Sequence, residues 1–318
     1  MKKVLISKPN FSVYSPTGYK MLQEKGYEII NNPFDRYFTL DEVLQICGKI
    51  DGVIADAEPW NSITIKASPN LKVIARFGSG MDTVDTETAK RHGIVCTNIP
   101  GSNAGAVAEH AIAMALCAVR NLIAVNRSTK AGKWKQYVFN EFSDATVGIV
   151  GFGLIGQQVA KKLRGFGCRI LAYDTFPRCD LAEEYGVELV SFEEILTDSD
   201  VITLHVPLTE KTFHMINKDT LAHTKRGVIF VSEARGPVVD EKAMEQALLS
   251  GQVAFFTTDV FEHEPATPEN TPLLRLDNVL ASAHNGGETF QTLERSGIMT
   301  AQQIIDVFEG REPENRRA

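Results

Sequence analysis

Cysteine is scarce in this 318-residue chain: the five thiols (Cys47, Cys96, Cys117, Cys168 and Cys179) form no Cys-x-x-Cys pair and leave an odd one over. A disulfide framework is therefore not expected, and unpaired thiols suit a reducing, cytoplasmic setting. Long hydrophobic runs are also missing. The most apolar stretch, Ala104 to Val119, contains Glu109 and His110 and is closed by Arg120, so it reads as a buried helix and no membrane partner is expected. The opening Met1-Lys2-Lys3-Val4-Leu5-Ile6-Ser7 is too short an apolar stretch for a secretion signal and reads as a first strand. No lysine- or arginine-rich tract interrupts an acidic balance of net charge -7, which argues against a nucleic-acid or anionic-membrane partner. The seven histidines are scattered, and Glu262-His263-Glu264 is the one spot dense in possible ligands. Alternate residues on a strand or loop seldom close around an ion, so no metal is expected.

What is present is a composition, 43% apolar and 23% charged, that can fill and cover the cores of two domains. β-rich runs alternate with helical patterns from the start. Val4 to Ser7, Tyr27 to Ile30, Gly52 to Ala55, Lys72 to Phe77 and Ile94 to Thr97 read as strands, with helices near Thr17 to Lys25, Thr39 to Cys47 and Val84 to Arg91. A second series runs through Val147, Ile170, Val201 to His205, Val228 to Val231, Val253 to Asp259 and Val279 to Ser282. Such alternation implies an α/β fold of two doubly wound parallel sheets with helices on both faces. One long helix from about Asn103 to Lys130 is expected to separate the series. Another near Phe290 to Glu309 carries Ile298, Ala301, Ile304, Ile305 and Phe308 at helical spacing, and the polar tail from Arg311 to Ala318 is expected to fray.

The most informative segment is Thr146-Val147-Gly148-Ile149-Val150-Gly151-Phe152-Gly153-Leu154-Ile155-Gly156, a β-branched strand running straight into Gly-x-Gly-x-x-Gly. Alone, a glycine triplet is only a tight turn. Here Gly151 permits the turn, Gly153 lets the backbone approach a pyrophosphate, and Gly156 lets the following helix pack on the sheet. The helix N-terminus then offers unpaired amides to the anion. A second strand, Cys168 to Tyr173, ends at Asp174, whose carboxylate can accept from an adenosine ribose and would repel a ribose phosphate, so NAD is favoured over NADP.

Four further groups lie at predicted strand ends, where open α/β sheets place ligands. The turn Arg76-Phe77-Gly78-Ser79-Gly80 offers backbone amides that could cradle a carboxylate. His205-Val206-Pro207-Leu208-Thr209 is followed by Thr212; Ser232-Glu233-Ala234-Arg235-Gly236 places an arginine just beyond a strand; and Asp259-Val260-Phe261-Glu262-His263-Glu264-Pro265 precedes Ala283-His284-Asn285-Gly286-Gly287.

Taken together and in this order, these residues resemble the D-isomer-specific 2-hydroxyacid dehydrogenase family, over nearly the whole chain. The resemblance implies a discontinuous, flavodoxin-like substrate domain (residues 1–100 plus 286–318), an inserted Rossmann NAD domain (residues 101–285), and an active site in the cleft between them. It implies that NAD meets Gly151, Gly153, Leu154, Ile155, Gly156, Asp174, His205, Val206, Pro207, Thr212, Glu233, Ala234, Asp259, Gly286 and Gly287, with Asp259 on the nicotinamide carboxamide. The substrate would meet Gly78, Ser79, Gly80 and Arg235. A homodimer is also implied.

The family's catalytic trio maps onto Arg235, Glu264 and His284, and each residue type suits its role. A guanidinium is permanently charged and planar, fitted to grip a 2-oxo acid's carboxylate and polarise its carbonyl. An imidazole can give a proton to the carbonyl oxygen as hydride arrives and take it back in oxidation. A carboxylate on the other ring nitrogen orients the imidazole and raises its pKa.

Some positions depart from the family pattern. Glu233 stands where many relatives carry a small or neutral residue, and Ser232 where they usually carry Asn. Residues i and i+2 share a face in a strand, so Glu233 could partly neutralise Arg235. Ala283 replaces a common proline, and Phe255-Phe256-Thr257-Thr258 a run of small residues. The loop Asp56-Ala57-Glu58-Pro59-Trp60-Asn61 lacks the arginine that phosphoglycerate dehydrogenases tend to place there. Two carboxylates and an indole would suit a phosphate poorly, and no regulatory domain is expected after Ala318. The expected substrate is therefore a small 2-oxo acid with a neutral or apolar side group. A non-catalytic NAD-sensing module, like the corepressors that share this architecture, is the alternative from another class.

Overall fold

β-Branched runs bounded by polar or glycine-containing turns form the strands, and every pairing between strands is parallel. The computed structural model describes residues 1–318, and the chain forms two units, Met1–Asn103 with Glu288–Ala318, and Ala104–Gly287. The crossings thus fall at 103/104 and 287/288, against expected boundaries of 100/101 and 285/286.

The first unit runs β1 (Lys3–Ile6), α1 (Phe11–Tyr14), α2 (Pro16–Glu24), β2 (Glu28–Asn31), α3 (Leu40–Ile46), β3 (Gly52–Ala55), α4 (Ser62–Lys66), β4 (Val73–Arg76), α5 (Thr86–Arg91) and β5 (Val95–Thr97). Its strands lie in the order β2-β1-β3-β4-β5. Both faces of this sheet are covered, as continuous apolar runs in parallel strands require. Leu5, Val53 and Ile74 pack to one side with Val43, Ile50 and Trp60, while Val4, Ile6, Ile54 and Val73 pack to the other with Leu22. Local signals set the helix starts: α3 opens on a capping box in which Thr39 and Glu42 bond each other's backbone.

The second unit runs α6 (Ala104–Val119), α7 (Leu122–Lys130), β6 (Thr146–Val150), α8 (Leu154–Leu163), β7 (Arg169–Tyr173), α9 (Cys179–Tyr185), β8 (Glu188–Leu189), α10 (Phe192–Asp198), β9 (Val201–Leu204), α11 (Lys218–Ala222), β10 (Val228–Ser232), α12 (Glu241–Ser250), β11 (Val253–Thr258) and β12 (Val279–Ala281). The strand order is β12-β11-β10-β9-β6-β7-β8. The chain leaves β6 toward β7 and β8, then returns to β9 on the other side, so a topological switch point lies beside β6, the place where such sheets bind ligands.

The single helix expected from Asn103 to Lys130 is instead two helices bent by 59°. Asn121 takes the left-handed conformation (φ 41°, ψ 46°) between them, which asparagine tolerates better than most residues. Burial explains the break: α6 carries eight buried residues and α7 none. No single helix is long and apolar enough to cross a membrane.

Helix α13 (Phe290–Phe308) closes the first unit, burying Leu293, Ala301, Ile304 and Ile305 against the sheet face that holds Val4 and Ile54. Ile298 and Phe308 are only half-buried, and Thr300 and Gln303 share the inner face. The tail does not fray as expected. Arg317 N–H donates to Cys96 O at 2.7 Å, and Gln303 Nε2 donates to Glu314 O at 3.1 Å. Backbone groups along edge strand β5 thus gain partners, a stronger tether than polar composition suggests.

Candidate active site

The turn between β6 and α8 is shaped for close approach. A methyl group on Gly156 would overlap the Gly151 carbonyl, so only glycine lets the helix pack on the turn. Gly153 caps α8 without a side-chain hydrogen bond, and its carbonyl accepts from Gln157 N–H at 2.9 Å. The preceding amides, of Leu154, Ile155 and Gly156, have no acceptor within the helix. A side chain on Gly153 would project into open space, the room a pyrophosphate would fill at a helix N-terminus. Asp174, just past β7, accepts from Phe152 N–H at 2.7 Å through Oδ2 and from Phe176 N–H at 2.8 Å through Oδ1. A carboxylate offers about four acceptor sites, so it latches the glycine turn and still has capacity for ribose hydroxyls. These residues fit NAD.

Beyond β9, His205 N–H donates to Val150 O at 2.8 Å, and its Nε2 pairs with Thr203 Oγ1 at 2.8 Å. Its Nδ1 is buried without a partner, and burial pushes the imidazole pKa down to about 3. It is a neutral wall beside the glycine turn, whose Gly151 stands against the His205 carbonyl. Val206 is half-buried and Pro207 exposed. Thr212 spends its hydroxyl inside the loop, donating to Pro207 O at 2.6 Å and accepting from Thr209 N–H at 2.8 Å.

Three reacting-group candidates converge beyond β10 and β11. His284 Nδ1 lies 3.0 Å from Glu264 Oε2, while Glu264 Oε1 accepts from Phe261 N–H at 3.1 Å. One carboxylate oxygen is thereby pinned to the backbone and the other aims at the imidazole. The Glu264 hydrogen bond raises the pKa of half-exposed His284, against burial and the Arg235 charge. Burial pushes Glu264 upward, but its bond to His284, together with Phe261 N–H and Arg235, wins and leaves it lowered. Arg235 thus acts electrostatically on both. Its Nη1 donates to Ala234 O at 2.8 Å, and a methyl on the next residue, Gly236, would overlap the Phe261 carbonyl, so the arginine and glutamate turns pack backbone to backbone.

Asp259 organises the loop that carries the histidine. Its Oδ1 accepts from Ser282 Oγ at 2.5 Å and Asn285 N–H at 2.8 Å, its Oδ2 from Gly286 N–H at 2.7 Å, and its carbonyl from His284 N–H at 2.9 Å. Held on both sides, His284 adopts a left-handed φ of 55°, strained for a residue with a side chain. Gly287 follows, half-buried.

Glu233 is buried beside this loop and turns toward α6, where its Oε1 meets His110 Nδ1 at 2.7 Å. The Glu233 bond raises the His110 pKa against burial. Burial raises that of Glu233, which His110 only partly offsets. Ala234 is buried next to it. Ligand atoms of His110, Glu233 and Asp259 all lie within 4.8 Å, but Asp259 is already surrounded by three donors, so hydrogen bonding accounts for the cluster. The role of His110 was missed from sequence; its signal was a histidine beside Glu109 in a helix of small and apolar residues.

In the first unit, Gly78-Ser79-Gly80 follows β4. Gly78 N–H donates to Arg76 O at 2.9 Å, Ile99 N–H to Gly78 O at 3.1 Å, and Asn98 Nδ2 to Ser79 O at 2.6 Å. The turn's carbonyls are tied inward, leaving the Ser79 and Gly80 amides without intramolecular acceptors. The loop after β3 differs from expectation. Glu58 and Trp60 are core residues, 1% and 0% exposed, with Trp60 Nε1 donating to Glu58 Oε1 at 2.8 Å and Asp56 N–H to Glu58 Oε2 at 3.0 Å. Only Asp56 of that loop meets charged groups, between Lys8 at 3.4 Å and Arg76 at 3.5 Å. A buried carboxylate with its own backbone donor and an indole packed in the core explain why the loop turns inward.

Comparisons with known proteins find relatives over nearly the whole chain. Residues 112–286 match the model of the D-isomer specific 2-hydroxyacid dehydrogenase NAD binding domain. The chain is 38% identical to a glyoxylate reductase of Korarchaeum cryptofilum, over 92% of each chain. It is 37% identical to a D-3-phosphoglycerate dehydrogenase of Archaeoglobus fulgidus over 97% of its own length but only 58% of that protein's. Among solved structures it is similar to a D-lactate dehydrogenase from Aquifex aeolicus complexed with NAD and lactic acid (TM-score 0.86, 30% identity, 97% of this chain and 96% of that one).

Proposed function

This chain belongs to the D-isomer-specific 2-hydroxyacid dehydrogenase family, NAD-dependent enzymes, and on that premise we propose that it interconverts a small 2-oxo acid and its D-2-hydroxy acid. The observation that carries the reading is the His284–Glu264 hydrogen bond at 3.0 Å with Arg235 acting on both groups. NAD, when bound, supplies or accepts the hydride.

Arg235 binds the substrate carboxylate through its planar fork and polarises the neighbouring carbonyl. In the first unit, the free amides of Ser79 and Gly80 suit an anion. With Nδ1 committed to Glu264, His284 presents Nε2 to the substrate. Nε2–H gives its proton to the carbonyl oxygen in reduction, and bare Nε2 takes it back in oxidation. Gly151, Gly153, Leu154, Ile155, Gly156 and Asp174 hold the dinucleotide, with His205, Val206, Pro207 and Thr212 along one side and Ala234, Asp259, Gly286 and Gly287 toward the nicotinamide, where Glu233 offers its backbone alone because its side chain is turned to His110. A substrate without phosphate is favoured because Lys8 and Arg76 are already balanced by Asp56 and by Glu288, 3.0 Å from Lys8. The sensor alternative is not favoured: a module that only binds cofactor has no use for an imidazole whose pKa a carboxylate raises.

A panel of 2-oxo acids with NADH and NADPH, followed by absorbance, tests this reading. Turnover should fall by on the order of 100- to 10,000-fold in Arg235→Ala or His284→Ala. Tight NADH binding without turnover of any acid would overturn it, and a highest kcat/KM for the phosphorylated acid would overturn the substrate class. A homodimer belongs to the same proposal. Exposed Leu122, Ile123, Trp134 and Val138 on and after α7 offer apolar surface for a second copy, and light scattering gives the stoichiometry.

A further inference from the structure

We propose that His110 is a positioning residue: by holding the Glu233 carboxylate against α6, it keeps that carboxylate away from Arg235, two residues further along the chain. The proposal rests on the reading that Arg235 binds the substrate carboxylate. Glu233 is a departure from the usual small residue at this place, and a departure that introduces a charge beside a working arginine needs a compensating partner elsewhere.

The surroundings of Glu233 leave His110 as that partner. The Nδ1–Oε1 contact is 2.7 Å and the glutamate side chain is 1% exposed, so water supplies little solvation. On the far side, even a methyl on Gly286 would come within 2.7 Å of Glu233 Oε2 and 3.1 Å of Asp259 Oδ2. Gly286 is fixed there by its N–H bond to Asp259. The charged and titratable groups facing Glu233 are therefore His110 from α6, Asp259 beyond β11 and His284 from the loop, and Arg235 follows two residues along the chain. Asp259 repels an ionised Glu233, and Glu109, the neighbour of His110, faces Lys162 of α8 instead.

Remove His110 and an ionised Glu233 is left in a buried site beside a second carboxylate. Such a group must find a cation or take up a proton. Arg235 lies two residues beyond Glu233, across a bend at Ala234, and the two charges act on the same imidazole, His284. The released carboxylate therefore competes with the substrate carboxylate for the guanidinium. Competition needs the ionised form, so it strengthens as pH rises.

The test is binding of oxamate, a 2-oxo acid mimic, to the NADH-loaded protein, together with steady-state kinetics, in wild type, His110→Ala, His110→Gln and the double variant His110→Ala/Glu233→Ala. Relative to wild type at each pH, His110→Ala should weaken oxamate and raise KM by about tenfold, as one screened charge contact does, with kcat changed far less. The penalty should grow between pH 6 and pH 9. His110→Gln, which retains a donor, and the double variant should both return toward wild type. If His110→Ala does not fold, His110→Met, which fills the helix face without a donor, gives the same contrast. An unchanged oxamate affinity, or a loss that Glu233→Ala does not reverse, would overturn the proposal. Failure of the wild type to turn over any 2-oxo acid would instead overturn the reading of Arg235 itself.

Discussion

The backbone N–H of Gly286 donates to Oδ2 of Asp259 at 2.7 Å, and with the Asn285 N–H bond to Oδ1 it ties the His284 loop to the end of β11. The imidazole is thus aimed by a carboxylate that need not touch the substrate. Position, and not only chemical identity, is built into the proposed general acid.

Asp259→Ala removes the acceptor for three donors at once. Hydrogen bonds to a buried charged group contribute about 1.5–3 kcal/mol each, so the loop from Ser282 to Gly287 should lose its fixed shape. Hydrogen exchange at Asn285 and Gly286 should accelerate strongly while the sheet stays protected. Misplacing a reacting group by about 1 Å costs on the order of 100-fold in rate, and kcat should fall accordingly. Unchanged exchange at those two amides would show that the loop is held by something else.

The His284–Glu264 pair sets the pH dependence of reduction. Glu264 raises the imidazole pKa, and the donor form is the protonated one. The kcat/KM for reduction should therefore hold on the acid side and fall as pH rises through a value above the ordinary histidine pKa of about 6.5. In Glu264→Gln the carboxylate is replaced by a neutral amide, so this falling limb should move to lower pH. At a fixed pH on that limb, the rate should drop about tenfold for each unit of displacement. pH–rate profiles from pH 5.5 to 9.5 read this directly, and superposed limbs would refute the coupling.

Asp174→Ala should relax cofactor choice. Removing the carboxylate takes away a repulsion for a ribose phosphate and an acceptor for ribose hydroxyls, a charged-bond loss of about 1.5–3 kcal/mol. The ratio of kcat/KM for NADH over NADPH should fall by on the order of 10- to 100-fold. NADH should also bind less tightly, because Phe152 N–H loses its anchor. A ratio that does not move would place cofactor selection elsewhere.

The parallel sheets were legible because most strands are short β-branched runs closed by turn residues, and Gly151 to Gly156 marked the switch point by its spacing; the two-residue edge strand Glu188–Leu189 carries no β-branched residue and gives no such signal. Other features depend on partners distant in sequence. Nothing local to Arg311–Ala318 announces that Cys96 will pair with it. Asn121 reads as one polar residue in a helical run until the exposure of α7 is known. Glu58 and Trp60 suggested a ligand loop, yet their mutual hydrogen bond makes them core. The trio was legible as a set of residue types in order, whereas the 123-residue separation between His110 and Glu233 hid the contact that turns the glutamate aside.

With the His205 imidazole enclosed and held to its uncharged form, the flank of the glycine turn gains no cation when the medium is acidified. Coenzyme affinity is insulated from acidity on that flank. Proton sensitivity in catalysis should then trace to the two imidazoles paired with carboxylates, His284 with Glu264 and His110 with Glu233.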